Sequence, residues 1–397
     1  MKGSGRIRHA VIPLLFLGIL LFSLCFASLL PDVVQSYLYA ISLAIKDCLI
    51  FSLPFVIFAL VFGSMVSLGD KAMRYVLIIV PLVCCSNFMN TLISYTVSLK
   101  VTDWYGGISA LQQHDESVAS ALSPAFEFSL KNIISNDLAL CAGVILGLLL
   151  YFINKNIATT LAGYAGNFTR VYFKILIPVM PFFIAGTTLK LQHDGVLIQI
   201  FEQYLQILIV FIVLAYGFVL LQYLALARFK FNRFIGYLKN ILPAIVTAFG
   251  SMSSASALPL SIKAAEANVG KKSNAGVIVP STVNIHLVGD CFFIPMIAIA
   301  VMSSFDLEFP TFATYLVFAL HFVIAKFAVA AVPGGGVLVM LPVMQKYLGM
   351  SSEMLALVTA LYVLFDPIIT ACNVTGNGAL AIFFDKITRF FIRSESK

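Results

Sequence analysis

The feature that most constrains the fold is a series of apolar stretches along the first half of the chain. A transmembrane α-helix needs about 20 apolar residues to cross the hydrocarbon core of a bilayer. Stretches of this kind lie at about 11–30, 45–68, 75–99, 132–154, 172–190 and 198–226. They predict a helical protein that crosses a membrane several times.

Composition supports the same class. Of the 397 residues, 60% are hydrophobic and only 11% are charged, whereas soluble domains carry about 25% charged residues. The net charge of +7 does not indicate a nucleic-acid partner, because the basic residues lie in short loops and at the termini and form no continuous face. The seven cysteines have no spacing typical of a metal site or a disulfide framework.

Basic residues alternate between loops and give a predicted orientation. Cytoplasmic loops carry an excess of Lys and Arg, and every second predicted loop is basic, which places both termini in the cytoplasm. The stretch at 11–30 is too long for a signal-peptide core, so we interpret it as the first transmembrane helix. The acidic connection at 100–131 is expected to be a solvated external loop.

After residue 239 the regular pattern stops. The apolar stretches at 241–249 and 257–264 are each too short to cross the membrane, and the small residues at 250–256 between them should break a helix. Because Lys271 and Lys272 follow, the positive-inside rule favours a hairpin that enters from the cytoplasm and returns there.

A second broken pair follows in the opposite orientation. The stretch at 277–302 is expected to cross outward as one helix carrying Asn284, His286 and Asp290. Residues 312–332 then run inward, the segment 333–336 breaks the helix, 337–348 return outward, and 355–384 form the last crossing. Two interrupted hairpins of opposite orientation form an inverted repeat, which places a binding site near the middle of the membrane.

Four motifs carry a resemblance to a known family. They are Ser253-Ser254-Ala255-Ser256-Ala257-Leu258-Pro259, Val279-Pro280 leading to Gly289, Val332-Pro333-Gly334-Gly335-Gly336, and Asp366 to Thr370 followed by Asn373-Val374-Thr375-Gly376. In this order they resemble the dicarboxylate/amino acid:cation symporters of the glutamate-transporter type. The resemblance covers nearly the whole chain and is specific from residue 250 to 382.

The resemblance implies an all-α integral membrane protein with eight transmembrane helices, two re-entrant hairpins and an elevator mechanism, working as a homotrimer. Scaffold helices would occupy 1–70 and 101–195. The third helix, at 71–100, would belong to a transport domain completed by 196–397. That domain would contain the sixth helix, hairpin 1 at about 240–267, the seventh helix, hairpin 2 at about 311–348, and the eighth helix.

The resemblance also implies substrate-binding residues. Those in the two hairpin tips are Ser253, Ser254, Ala255, Val332, Pro333, Gly334 and Gly336. In the last helix, Asp366 would hold a substrate ammonium, with Thr370 and Asn373 on the same face. The alternatives left open are a small-residue packing seam at the first tip, a structural kink at the second, and a structural hydrogen bond for Asp366.

Two departures bear on the solute. The positions where acidic-substrate members of the family place an arginine are Met252 and Ile369. Without a guanidinium there is no bidentate partner for a second carboxylate. We therefore favour a neutral amino acid over an acidic amino acid, glutamate or aspartate, or a C4-dicarboxylate.

The coupling ion is open between sodium and a proton. The candidate coupling residues are Thr91, Asn284, His286, Asp290, Asn373 and Asn377. Two carboxylates expected in the family are absent, so His286 or Asp290 could carry a proton instead. The alternative is a relocated sodium site of amide and carbonyl oxygens.

The resulting expectation is a secondary active symporter of the cytoplasmic membrane, with a small-molecule substrate, no nucleic-acid partner, and no cofactor beyond the coupling ion. An anion channel and a non-transporting solute receptor are the alternatives from other classes. No enzyme motif is present, since the sequence has no phosphate-binding loop, nucleophile–base pair or cluster of metal ligands.

Overall fold

A computed structural model describes residues 18, 22, 29–69, 73–104, 122–130, 133–134, 136–193, 197–270, 275–329 and 334–395. Within these ranges every regular element is helical, which confirms the all-α expectation. Most of the first predicted helix, most of the external loop, Lys271, Lys272, Val332 and Pro333 lie outside the described residues.

Four long helices make up the first half of the described chain: α1 (Asp32–Gly69), α2 (Met73–Trp104), α3 (Asn136–Ile153) and α4 (Lys155–His193). Helix α1 packs along both α3 and α4. Helices α1 and α4 are longer than the predicted stretches at 45–68 and 172–190 because the helices continue into more polar sequence. An apolar-length criterion marks only the part that fits the hydrocarbon core.

The second half contains shorter, interrupted helices. They are α5 (Leu197–Phe211), a π-helical turn (Ile212–Tyr216), α6 (Gly217–Leu226), α7 (Phe231–Ser251), α8 (Ser254–Val269), α9 (Ala275–Thr282), α10 (Val288–Ser304), α11 (Phe312–Ala325), a 3₁₀ turn (Lys326–Ala328), α12 (Gly335–Leu338), α13 (Leu341–Leu348) and α14 (Ser352–Glu395).

Helices α7 and α8 form a helical hairpin. Met252 turns the chain with φ 50°, and at the far end Asn240 Nδ2 donates to Asn268 Oδ1 at 2.7 Å. Helix α7 begins ten residues before the predicted 241–249 stretch. By length and composition it could itself cross a membrane, as could the spans Ile78–Thr102, Tyr204–Leu226 and Glu353–Ile387 elsewhere in the described residues.

Helices α11 and α13 form a second pair, with the 3₁₀ turn, the undescribed segment 330–333 and α12 between them. The rings of His321 and Tyr347 stack across this pair, with centroids 4.2 Å apart. This brings the middle of α11 beside the end of α13, so the chain reverses between them.

The prediction that 277–302 forms one continuous helix was wrong. Helix α9 ends at Thr282 and α10 begins at Val288. Two side-chain amides bond to carbonyls between them: Asn87 Nδ2 donates to Ile285 O at 2.7 Å, and Asn377 Nδ2 donates to His286 O at 3.2 Å. These bonds replace intrahelical ones, and so the break is stabilised by residues far away in the sequence.

Helix α10 is the centre of the packed core. Every residue of it except Ser303 is buried, and it contacts α2, α5 and α14. A helix that is apolar all round is one that is enclosed by other helices. In contrast, α3 and α4 expose large apolar side chains such as Ile145, Phe152, Tyr164 and Val171.

The α1–α4 contact depends on close approach at Gly186. A Cβ at this position would meet Leu38 O and lie 2.6 Å from the Ser42 Cβ atom. Gly186→Ala is therefore expected to lower the free energy of unfolding by about 1–3 kcal/mol, the usual effect of overpacking. Thermal unfolding in detergent measures it. Gly163→Ala in the same helix, with no atom within 4 Å of its Cβ position, is the control, and equal midpoints for the two variants would contradict the packing.

Candidate functional site

A cavity lies where the breaks in the two helical pairs and in the α9–α10 segment meet α14. Its lining residues are Met252, Ser254, Val283, Asn284, Leu287, Asp290, Val329, Gly336, Tyr362, Asp366, Thr370 and Asn373. A concave site with a few convergent polar groups is the usual form of a small-molecule site.

Asp366 joins the second hairpin to α14. Its Oδ2 atom accepts a hydrogen bond from Gly334 N at 2.7 Å, and its Oδ1 atom accepts one from Thr370 Oγ1 at 2.6 Å. Gly334 has φ 72°, a left-handed conformation that glycine adopts without steric cost. Both donors are neutral, and Asp366 is only 2% exposed.

Asp290 is the acceptor in a second, larger network. Lys326 Nζ lies 2.8 Å from its Oδ2 atom, and both side chains are almost fully buried. Its Oδ1 atom accepts hydrogen bonds from Tyr362 Oη at 3.0 Å and from Asn373 Nδ2 at 2.9 Å. Asn373 also accepts from Asp290 N at 3.3 Å. The network connects α10, the 3₁₀ turn and α14.

Sequence reasoning missed Lys326 and Tyr362. Lys326 is the only lysine in the apolar stretch 312–332, and its ammonium lies 4.6 Å from the centre of the Phe322 ring. A lysine in such a stretch is a functional signal by itself, and it needs a partner of opposite charge. Asp290, a candidate for cation or proton coupling, is that partner.

The first hairpin tip contributes only part of its predicted set. Ser254 lines the cavity, at the first residue of α8. Ser253 instead caps α8, its hydroxyl accepting from Ser256 N at 3.4 Å, and Ala255 is exposed and is not among the lining residues.

Gly336, in the second tip, approaches the Asp290 network closely. A Cβ at this position would meet both Asp290 Oδ2 and the Tyr362 hydroxyl. Only glycine therefore lets the start of α12 lie against this carboxylate.

A second polar cluster surrounds the α9–α10 break. The His286 Nε2 atom lies 3.0 Å from Ser86 Oγ, and its ring faces the Asn377 side chain. Three buried atoms here, Asn87 Oδ1, Asn377 Oδ1 and His286 Nδ1, reach no partner in hydrogen-bond geometry among the described residues. Unpaired buried oxygens are rare, so this cluster could accept a cation.

The remaining coupling candidates divide between the two groups. Thr91 lies one helical turn after Asn87 in α2, and its hydroxyl donates to Asn87 O at 2.8 Å. Asn284 is exposed and lines the cavity. Met252 also lines the cavity, whereas Ile369 is fully buried and is not among the lining residues. The charged side chains that line the cavity are therefore Asp290 and Asp366.

Comparison with known proteins places the chain in a family. Residues 10–387, nearly the whole chain, match the sodium:dicarboxylate symporter family. The chain belongs to this family. Membership confirms the resemblance seen in the motifs, and together with the apolar helices it supports the expectation of a multi-pass membrane protein.

Relatives within the sodium:dicarboxylate symporter family transport different solutes, as their names state. The chain is 28% identical over 217 residues to excitatory amino acid transporter 1 of Rattus norvegicus. It is also 28% identical over 221 residues to the neutral amino acid transporter B(0) of Homo sapiens. Each match covers 54% of this chain but only 39% of the relative. Identity at this level does not separate acidic from neutral solutes.

In the part of the chain that the structure describes, no group of three or more His, Cys, Asp or Glu side chains could hold a metal ion.

The Asp290 network makes Tyr362 a stabilising residue. Tyr362→Phe removes one of the donors to a buried carboxylate, and we expect the free energy of unfolding to fall by about 1–3 kcal/mol. Thermal unfolding of the purified protein measures the change. Tyr347→Phe, on half-buried Tyr347 of α13, is the matched control. A Tyr362→Phe midpoint equal to that of the control would show that the hydrogen bond contributes nothing.

Proposed function

We propose that the chain is a secondary active symporter that couples inward cation flow to the uptake of a small neutral amino acid. The observation that carries this proposal is the position of Asp366, a buried carboxylate with only neutral hydrogen-bond donors, on the wall of a cavity between broken helices. Membership of a symporter family supports the coupling, and the names of the relatives support an amino-acid solute.

The charges around the cavity favour an ammonium-bearing solute. A carboxylate has about four acceptor positions, and Asp366 uses two of them for Gly334 and Thr370. The remaining positions can accept from a substrate ammonium. The solute carboxylate would lie near Ser254, where the first amides of α8 are suited to an anion.

The same charges disfavour a second carboxylate on the solute. The lining residues include no arginine or lysine, and nearby Lys326 is already paired with Asp290. An acidic amino acid or a dicarboxylate would therefore place a charge in the cavity without a partner, which is costly.

The coupling cation is assigned to the cluster at the α9–α10 break. Broken helices in transporters expose carbonyls that coordinate sodium, and Asn87 Oδ1 and Asn377 Oδ1 add buried oxygens beside the carbonyls of Ile285 and His286. Sodium is the ion in the family description. Proton transfer at His286 is the alternative that the ion-gradient experiment tests.

Packing is compatible with a two-part transport mechanism. Helices α1, α3 and α4 pack mainly with one another, whereas α10 packs with α2, α5 and α14. We assign the first group to a scaffold that forms a homotrimer and the second to a moving transport domain. The same proposal places the protein in the cytoplasmic membrane with both termini in the cytoplasm. The two hairpins then enter the membrane from opposite sides.

Asp366→Asn tests the solute assignment. Loss of a charge-assisted hydrogen bond costs about 1.5–3 kcal/mol, so the affinity for a neutral amino acid should fall about 10- to 150-fold, whereas any weak binding of a plain dicarboxylate should be unchanged. Ligand-induced thermal shifts measure both affinities. Asp306→Asn, in the turn after α10, is the control, and unaltered amino-acid binding by Asp366→Asn would refute the ammonium site.

Proteoliposomes test the coupling ion. We expect uptake to follow an inward sodium gradient and to ignore a pH gradient, because the unpaired groups at the break are mainly oxygen atoms. Asn377→Ala removes one of these oxygens and should raise the sodium concentration needed for half-maximal uptake. Uptake that is driven by the pH gradient alone would instead assign the coupling to His286.

A further inference from the structure

We propose that Lys326 serves as a covalently attached cation for the Asp290 site, so that this site binds no ion from solution. This inference rests on the proposed transport function, but its central test measures ion binding alone.

The ammonium occupies the place that a free cation would take. Lys326 Nζ lies 2.8 Å from Asp290 Oδ2, with side-chain exposures of 0% and 1% for the lysine and the aspartate. The other carboxylate oxygen accepts from Tyr362 and Asn373. Both oxygens of Asp290 are thus already satisfied, one by a full positive charge and one by two neutral donors.

The space next to Asp290 Oδ2 and the Lys326 ammonium is also limited. Gly336 lies so near that even a Cβ atom would meet Asp290 Oδ2, and the Phe322 ring covers the ammonium, with its centre 4.6 Å from Nζ. An aromatic face adds to the stabilisation of a desolvated cation. A sodium ion could take the position of the ammonium at Asp290 Oδ2 only if Lys326 left.

Departure of the lysine is unfavourable. Removing one partner of a buried ion pair leaves an uncompensated charge, and that is among the most destabilising changes in a protein interior. The pair also belongs to two separate parts of the chain, since Asp290 lies in the first turn of α10 and Lys326 follows α11. The ion pair therefore holds the second helical pair against α10.

The test is the sodium dependence of thermal stability in three variants without solute. Lys326→Met leaves Asp290 without a cation, and we expect its unfolding midpoint to rise with the logarithm of sodium concentration more steeply than that of the unaltered protein. Choline chloride at equal ionic strength is the reference salt. The double variant Lys326→Met with Asp290→Asn should return to the unaltered slope, because the charge that attracts sodium is gone. Lys346→Met, an exposed lysine of α13, should not change the slope.

A sodium slope for Lys326→Met equal to that of the unaltered protein would overturn the proposal. So would an equally steep slope for the double variant. If Lys326→Met does not fold in low salt, Lys326→Ala purified with methylammonium chloride replaces it. Methylammonium should raise the midpoint of this variant and not that of the double variant, and failure to do so also overturns the proposal.

The outcome is separable from the proposed function. If the stability of Lys326→Met depends on sodium but the unaltered protein takes up no amino acid, the attached-cation proposal stands and the solute assignment is wrong. If the unaltered protein takes up an amino acid but the stability of Lys326→Met does not respond to sodium, the solute assignment stands and the attached-cation proposal is wrong.

Discussion

A carboxylate in the interior of a membrane protein needs a counter-charge and hydrogen-bond donors. The helices beside the cavity supply both to one carboxylate. Asp290 receives the ammonium of Lys326, the hydroxyl of Tyr362 and the amide of Asn373. These donors come from two elements that are distant in sequence from α10. Loss of any of these donors would destabilise the packing around α10, because the desolvated charge would be left partly unpaired.

The breaks in the helices place polar backbone groups in the interior. Each break exposes backbone groups that must find partners, and in this chain the partners are side chains of buried helices. Asn87 and Asn377 bond to the α9–α10 break, and Asp366 accepts from the tip of the second helical pair. The result is that the irregular backbone of these breaks lies beside the cavity and the polar cluster, where a solute and an ion can use it.

The sequence allowed the class, the succession of helices and the approximate positions of both helical pairs to be predicted, because apolar length and glycine or serine runs are local signals. It did not allow the interruption at 283–287 to be predicted, since the amides that stabilise it lie in α2 and α14. Lys326 was overlooked for a similar reason: one lysine hardly alters the apolar character of 312–332, and its importance depends on Asp290, 36 residues away. The roles of Asp366 in recognition and of the two parts in movement are properties of a transport cycle and not of any local sequence pattern.

The apolar side chains on the outer surface of α3 and α4 have a practical consequence. Ile145, Phe152, Tyr164 and Val171 project away from the packed interior, and bare contact of such a surface with water would favour self-association. Once extracted from the membrane, the protein must therefore keep a layer of detergent or lipid bound around these helices. Its apparent mass and its assembly state in solution will depend on which amphiphile is chosen, and native lipid retained there would be part of the purified particle.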